Sequence, residues 1–167
     1  MSLSFESHGP TDTKRIGERL ARHLRPGDVV LLQGELGAGK TCLAQGIGRG
    51  LRVREAVKSS SFVLVNEYTG RLKVHHADLF RLGDPAEVAD LALEETAQEG
   101  LLLVEWPEVA LTELPAEHLL VRFEVIDAKT RRVHLEPRGE RYEALVAALI
   151  ANAPANATKR ELADVEP

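Results

Sequence analysis

Residues 34–41 read Gly-Glu-Leu-Gly-Ala-Gly-Lys-Thr, the full G-x-x-x-x-G-K-[ST] spacing, and this octet constrains the fold more than any other stretch. It follows Val29-Val30-Leu31-Leu32 directly, an aliphatic run suited to a strand buried on both faces. It opens onto Leu43, Ile47 and Leu51, which share one face of a helix expected over 40–51. Strand, glycine loop and helix in that order form a phosphate-binding unit. Gly37 and Gly39 allow backbone conformations that a Cβ disfavours, so successive N–H groups can turn inward as an anion nest. The helix adds the positive end of its dipole at the same point. Lys40 can reach the β- and γ-phosphates of ATP, and the Thr41 hydroxyl can ligate Mg²⁺.

The remaining pattern predicts an α/β protein, a P-loop NTPase fold with a mainly parallel central sheet flanked by helices and one antiparallel hairpin. Residues 3–7 read as a short edge strand. Thr11 or Asp12 is expected to cap a helix carrying Ile16, Leu20 and Leu24 on one face, ended by Pro26-Gly27. Residues 61–68 and 72–77 form the hairpin about Thr69-Gly70-Arg71. Asp84-Pro85 starts a helix expected to run to about Gln98. Residues 101–104 are a second buried strand, residues 119–126 and 132–136 alternate as two later strands, and residues 141–150 close the fold as a helix. Residues 1–150 are read as one P-loop ATPase domain and residues 151–167 as a flexible tail.

Bulk properties narrow the function classes. A net charge of −5 and a pI near 5.7 disfavour strong unaided binding to tRNA or DNA. One cysteine, Cys42, gives no internal disulfide, and no apolar run approaches the length of a membrane span. A cytoplasmic location is therefore expected. No N-K-x-D guanine-reading sequence occurs, which disfavours a GTP switch. A small-molecule kinase of shikimate-kinase type stays open as the alternative.

Hydrolysis also needs a carboxylate near the metal. Two candidates stand at strand ends: Glu105 after residues 101–104, and Asp78 after residues 72–77. His76 and Asp78 share a strand face, whereas His75 points the other way; a zinc site would need more ligands. Trp106 is the only tryptophan.

Several blocks in order resemble the TsaE (YjeE) family, the ATPase of bacterial tRNA threonylcarbamoyladenosine biosynthesis. Residues 34–41 are similar to its GDLGAGKT loop and residues 57–65 to V-K-S-P-T-F-x-L-V. Residues 76–82 are similar to H-x-D-L-Y-R-L, and Val104-Glu105-Trp106-Pro107 to V-E-W-P. The resemblance implies ATP contacts from Glu35, Leu36, Gly37 and Ala38, and then from Gly39, Lys40, Thr41 and Cys42. It implies Mg²⁺ held by Thr41 and Glu105, and catalytic roles for Lys40, Asp78 and Glu105. It implies a nucleotide-sensing switch at Ser59, Ser61 and Phe62, with Trp106 beside the active site and Thr11 and Lys129 by the adenine. It further implies an accessory ATPase, slow alone, that binds the TsaD–TsaB transferase pair and meets tRNA only through that complex. The chain departs from the family pattern at Ser60-Ser61 for Pro-Thr, Phe80 for Tyr, and Cys42 for a hydroxyl residue.

Overall fold

The computed structural model describes residues 2–58, 64–153 and 157–160. They form one eight-stranded sheet between two helical layers. The chain runs β1 (Ser2–Ser7), α1 (Pro10–Ala21), β2 (Val29–Gln33), α2 (Lys40–Gly50), β3 (Val65–Thr69) and β4 (Lys73–Asp78). It continues through α3 (Pro85–Ala89), α4 (Leu93–Ala97), β5 (Leu101–Glu105), two single 3₁₀ turns, β6 (His118–Val125), β7 (Arg131–Arg138), α5 (Glu140–Ala151) and β8 (Ala157–Arg160).

The strand order is β3-β4-β5-β2-β6-β7-β1-β8. Here the expectation of a mainly parallel sheet fails. Parallel pairing is confined to the centre, β4 with β5, β5 with β2, and β2 with β6. The pairs β3–β4, β6–β7, β7–β1 and β1–β8 are antiparallel. For the consecutive pairs β3–β4 and β6–β7 the cause is connection length. Only residues 126–130 join β6 to β7, closed by Asp127 Oδ1 accepting from the amides of Lys129 and Thr130 at 2.8 Å each. A parallel crossover needs a dozen residues or more. The sheet is therefore mixed in nearly equal parts, and β1 lies inside it rather than at an edge.

β2 is buried along its aliphatic run, as its sequence demands. Val30 and Leu32 face the layer of α1, α2 and α5; Val29 and Leu31 face α3 and α4. Two further local expectations are corrected. Neither Thr11 nor Asp12 caps α1: Gly9 is its N-cap with Pro10 in the first turn, and Asp12 instead accepts from the His8 amide. The single helix expected from Asp84 is two helices, though Asp84 does cap the first by accepting from the Ala86 amide. Ala92 stands between them at φ 50°. Val88 and Leu93 are both buried, and five residues apart they would point about 140° from each other on one continuous helix. The left-handed step at Ala92 lets both face the sheet.

Helices α1 and α2 approach closely through glycines. A Cβ on Gly46 would lie 2.1 Å from the Lys14 carbonyl oxygen, and one on Gly17 would lie 2.5 Å from that of Leu43. This contact sets the position of α2, and hence of the loop that precedes it.

Candidate active site

The loop of residues 34–39 leaves the carboxyl end of β2 and enters α2 with Gly39 as N-cap, in a left-handed conformation at φ 114°. Gly37 is also left-handed, at φ 77°. Gly34 packs where a Cβ would meet the Phe123 Cβ at 2.9 Å, so the β6 side of the loop admits no side chain. Leu36 is exposed at the loop tip, while Ala38 is buried beneath it.

Lys40 is buried. Its ammonium donates to the carbonyls of Gly34 and, at 3.4 Å, Glu35. It also lies over the Trp106 ring, 3.4 Å from the centroid. Burial pushes its pKa below the usual lysine value, against the upward pull of Glu105, Glu108 and Asp78.

Register brings the carboxylates together. Glu105 is the last residue of β5; it pairs with Leu32 of β2 on one side and with Asp78 of β4 on the other. Its side chain turns to the α2 face, where it is 97 % buried and accepts from the Thr41 hydroxyl at 3.2 Å. The same oxygen, Oε1, lies 2.9 Å from His76 Nε2. Asp78 Oδ1 accepts from the Phe80 amide at 3.0 Å. Immediately after Glu105 the chain turns left-handed at Trp106, φ 59°, in a position that β-propensity alone would not select. That turn lays the indole back over Lys40, with the Phe80 ring 4.8 Å from it.

A cavity of about 400 Å³ opens beside the loop. Gly37, Ala38, Gly39 and Cys42 form one wall, and Lys129 and Arg131 from the β6–β7 turn form another. His8, Gly9, Pro10 and Thr13 close it from the α1 side. Thr11 is exposed and lies outside that lining, whereas Lys129 lies within it. Ser59, Ser61 and Phe62 fall outside the described residues.

The sequence reading missed two contributors. Phe123 backs the glycine loop, and its only signal was membership of an alternating strand. His76 touches Glu105, which required knowing that β4 pairs with β5 in that register. Among the described residues no group of three or more His, Cys, Asp or Glu could cage a metal ion. Two oxygen ligands on adjoining elements, a hydroxyl and a carboxylate, are instead what Mg²⁺ takes from a protein when phosphates and water supply the rest.

Known proteins resemble this chain in sequence and fold. The family model described as "Threonylcarbamoyl adenosine biosynthesis protein TsaE" matches residues 7–133. A Bacillus subtilis protein named tRNA threonylcarbamoyladenosine biosynthesis protein TsaE is 36% identical over 145 residues, spanning 86% of this chain and 90% of its own length. A Synechocystis protein of the same name is 43% identical over 122 residues, spanning 70% and 76%. The crystal structure of Bacillus subtilus YdiB superposes with a TM-score of 0.78 at 31% identity, covering 91% of this chain and 96% of that one. No described helix is long and apolar enough to cross a membrane.

Proposed function

The chain belongs to the TsaE family, and on that premise we propose how its own residues carry out the family's work. It is an accessory ATPase of threonylcarbamoyladenosine formation in tRNA. We place that modification at the adenosine beside the anticodon of ANN-decoding tRNAs, with TsaD and TsaB as the partners on which the ATPase acts, in the cytoplasm. An acidic chain suits docking to proteins, with tRNA met only through the complex.

The amides of residues 35–42 and the dipole of α2 bind the phosphates, and Lys40 neutralises the outer ones. Thr41 and Glu105 would hold Mg²⁺, which when bound screens phosphate charge during transfer to water. Asp78, next to Glu105 in register, is assigned to orienting the attacking water or the metal's hydration shell. The cavity between the loop and the β6–β7 turn suits the nucleoside, with Lys129 at its rim and Thr11 just outside. Ser59, Ser61 and Phe62 are proposed as the switch through which partners sense the nucleotide.

The observation that carries this reading is the Thr41 hydroxyl meeting the buried Glu105 carboxylate at 3.2 Å, directly behind the anion loop. The test is phosphate release from ATP by the chain alone, with TsaD, with TsaB, and with both. The expected result is slow release alone and clear stimulation by the pair. Equal rates in all four conditions would refute it.

A further inference from the structure

His76 is buried on the same face of β4 as Asp78, yet nothing derived so far uses it. Its Nε2 lies 2.9 Å from Glu105 Oε1. In this contact the carboxylate oxygen is the acceptor and Nε2–H the donor. Nδ1 has no hydrogen-bond partner among the described residues. Imidazole and carboxylate are 99 % and 97 % buried, so water cannot replace this contact.

Among the described residues, Thr41 also hydrogen-bonds the Glu105 carboxylate. A Thr41 oxygen given to Mg²⁺ through a lone pair can keep its hydrogen on the Glu105 carboxylate, so Thr41 would then serve the metal and the carboxylate at once. His76 is the partner of Glu105 that does not itself face the metal. Ligating carboxylates are held in this way by outer partners, and loss of such a partner weakens metal binding about 10–100-fold.

We infer that His76 is a positioning residue that holds the Glu105 carboxylate toward Thr41 through the Nε2–Oε1 hydrogen bond. This rests on Thr41 and Glu105 being the metal pair. Strand geometry supports it independently of nucleotide: β4 and β5 pair in parallel with His76 opposite Leu103 and Asp78 opposite Glu105. The imidazole therefore reaches diagonally to a carboxylate two residues along, a span that a long side chain covers and a short one does not.

The discriminating pair is His76→Gln and His76→Asn in the full chain. A glutamine amide nitrogen can occupy the place of Nε2; an asparagine falls short of it. ATP binding is measured by calorimetry across a Mg²⁺ titration and again in EDTA. The expected result is that His76→Asn raises the Mg²⁺ concentration giving half the metal-dependent gain in affinity by about tenfold or more. His76→Gln should stay within about threefold of the parent, and ATP affinity in EDTA should be alike in all three proteins. Parent-like Mg²⁺ dependence in His76→Asn would overturn the positioning role. So would a loss of equal size with and without Mg²⁺, or a glutamine variant no better than the asparagine one. A parent chain whose ATP affinity ignores Mg²⁺ would instead refute the Thr41–Glu105 metal pair, and the inference with it.

Discussion

The Lys40 ammonium stands over the face of Trp106, 3.4 Å from the ring centroid, while also donating to carbonyls of its own loop. A lysine desolvated in this way is stabilised by the negative face of the indole, worth about 0.5–2 kcal/mol. Phosphates would draw the ammonium off the ring. Trp106 is the only tryptophan, so its emission reports that movement. Saturating ATP should change the fluorescence spectrum and bring it toward that of nucleotide-free Lys40→Met. Identical spectra for the parent with and without ATP would contradict the displacement.

Lys40→Ala removes the cation that pairs with the outer phosphates. Hydrogen bonds to charged groups contribute about 1.5–3 kcal/mol each, so ATP affinity should fall by about 100-fold or become undetectable by calorimetry. An affinity within threefold of the parent would show that the backbone amides suffice.

Glu105→Gln keeps the shape of the side chain and its contacts with Thr41 and His76 but removes the charge. Partner-stimulated turnover should fall by about 100-fold, with ATP affinity in EDTA changed less than fivefold. Steady-state kinetics and calorimetry on the same preparation separate the two effects. A parent-like stimulated rate would exclude Glu105 from the metal site.

Alanine is the better helix former, by about 1 kcal/mol over glycine. At Gly46 that gain loses to sterics, because the new Cβ would stand 2.1 Å from a backbone oxygen of α1 and the helices must separate. Overpacking of this kind costs about 1–3 kcal/mol, and clashes with backbone lie at the upper end. At about 2–4 °C per kcal/mol for a chain of this size, Gly46→Ala should melt several degrees lower. Gly83→Ala, with open space at its Cβ, should melt within about 2 °C of the parent. Equal melting of both variants would contradict the close helix contact.

We propose residues 1–150 as the self-sufficient ATPase domain. β8, four residues long, adds only an outer strand to β1, which keeps its pairing with β7. A chain ending at Ala153 should retain partner-stimulated ATPase and melt within about 4 °C of full length. A larger fall, read by calorimetry, would make β8 part of the folding unit.

The centre of the fold was legible because local chemistry dictates it. Val29-Val30-Leu31-Leu32 can only be buried, and the glycines after it can only turn. The place of Glu105 at the end of β5 was legible for the same reason, as the first charge after an aliphatic run. The periphery was less so. The five-residue link at 126–130 already rules out a parallel crossover, but the expectation of a parallel sheet was carried outward from the loop motif. The break at Ala92 is invisible to propensity, since alanine is the best helix former. The contact between His76 and Glu105 depends on two strands 23 residues apart meeting in one register, which period-two reasoning within a single strand does not reach.

Where two helices touch main chain to main chain, neither can slide without carrying the other. Gly17 and Gly46 thus make α1 and α2 a single stiff body, with the anion loop as its leading edge. A signal that a terminal phosphate is present must then leave by a route other than sliding of these two helices. The end of β4 and the bend at Trp106, by contrast, are joined to the loop and α2 through side chains, His76 to Glu105, Glu105 to Thr41 and Trp106 to Lys40.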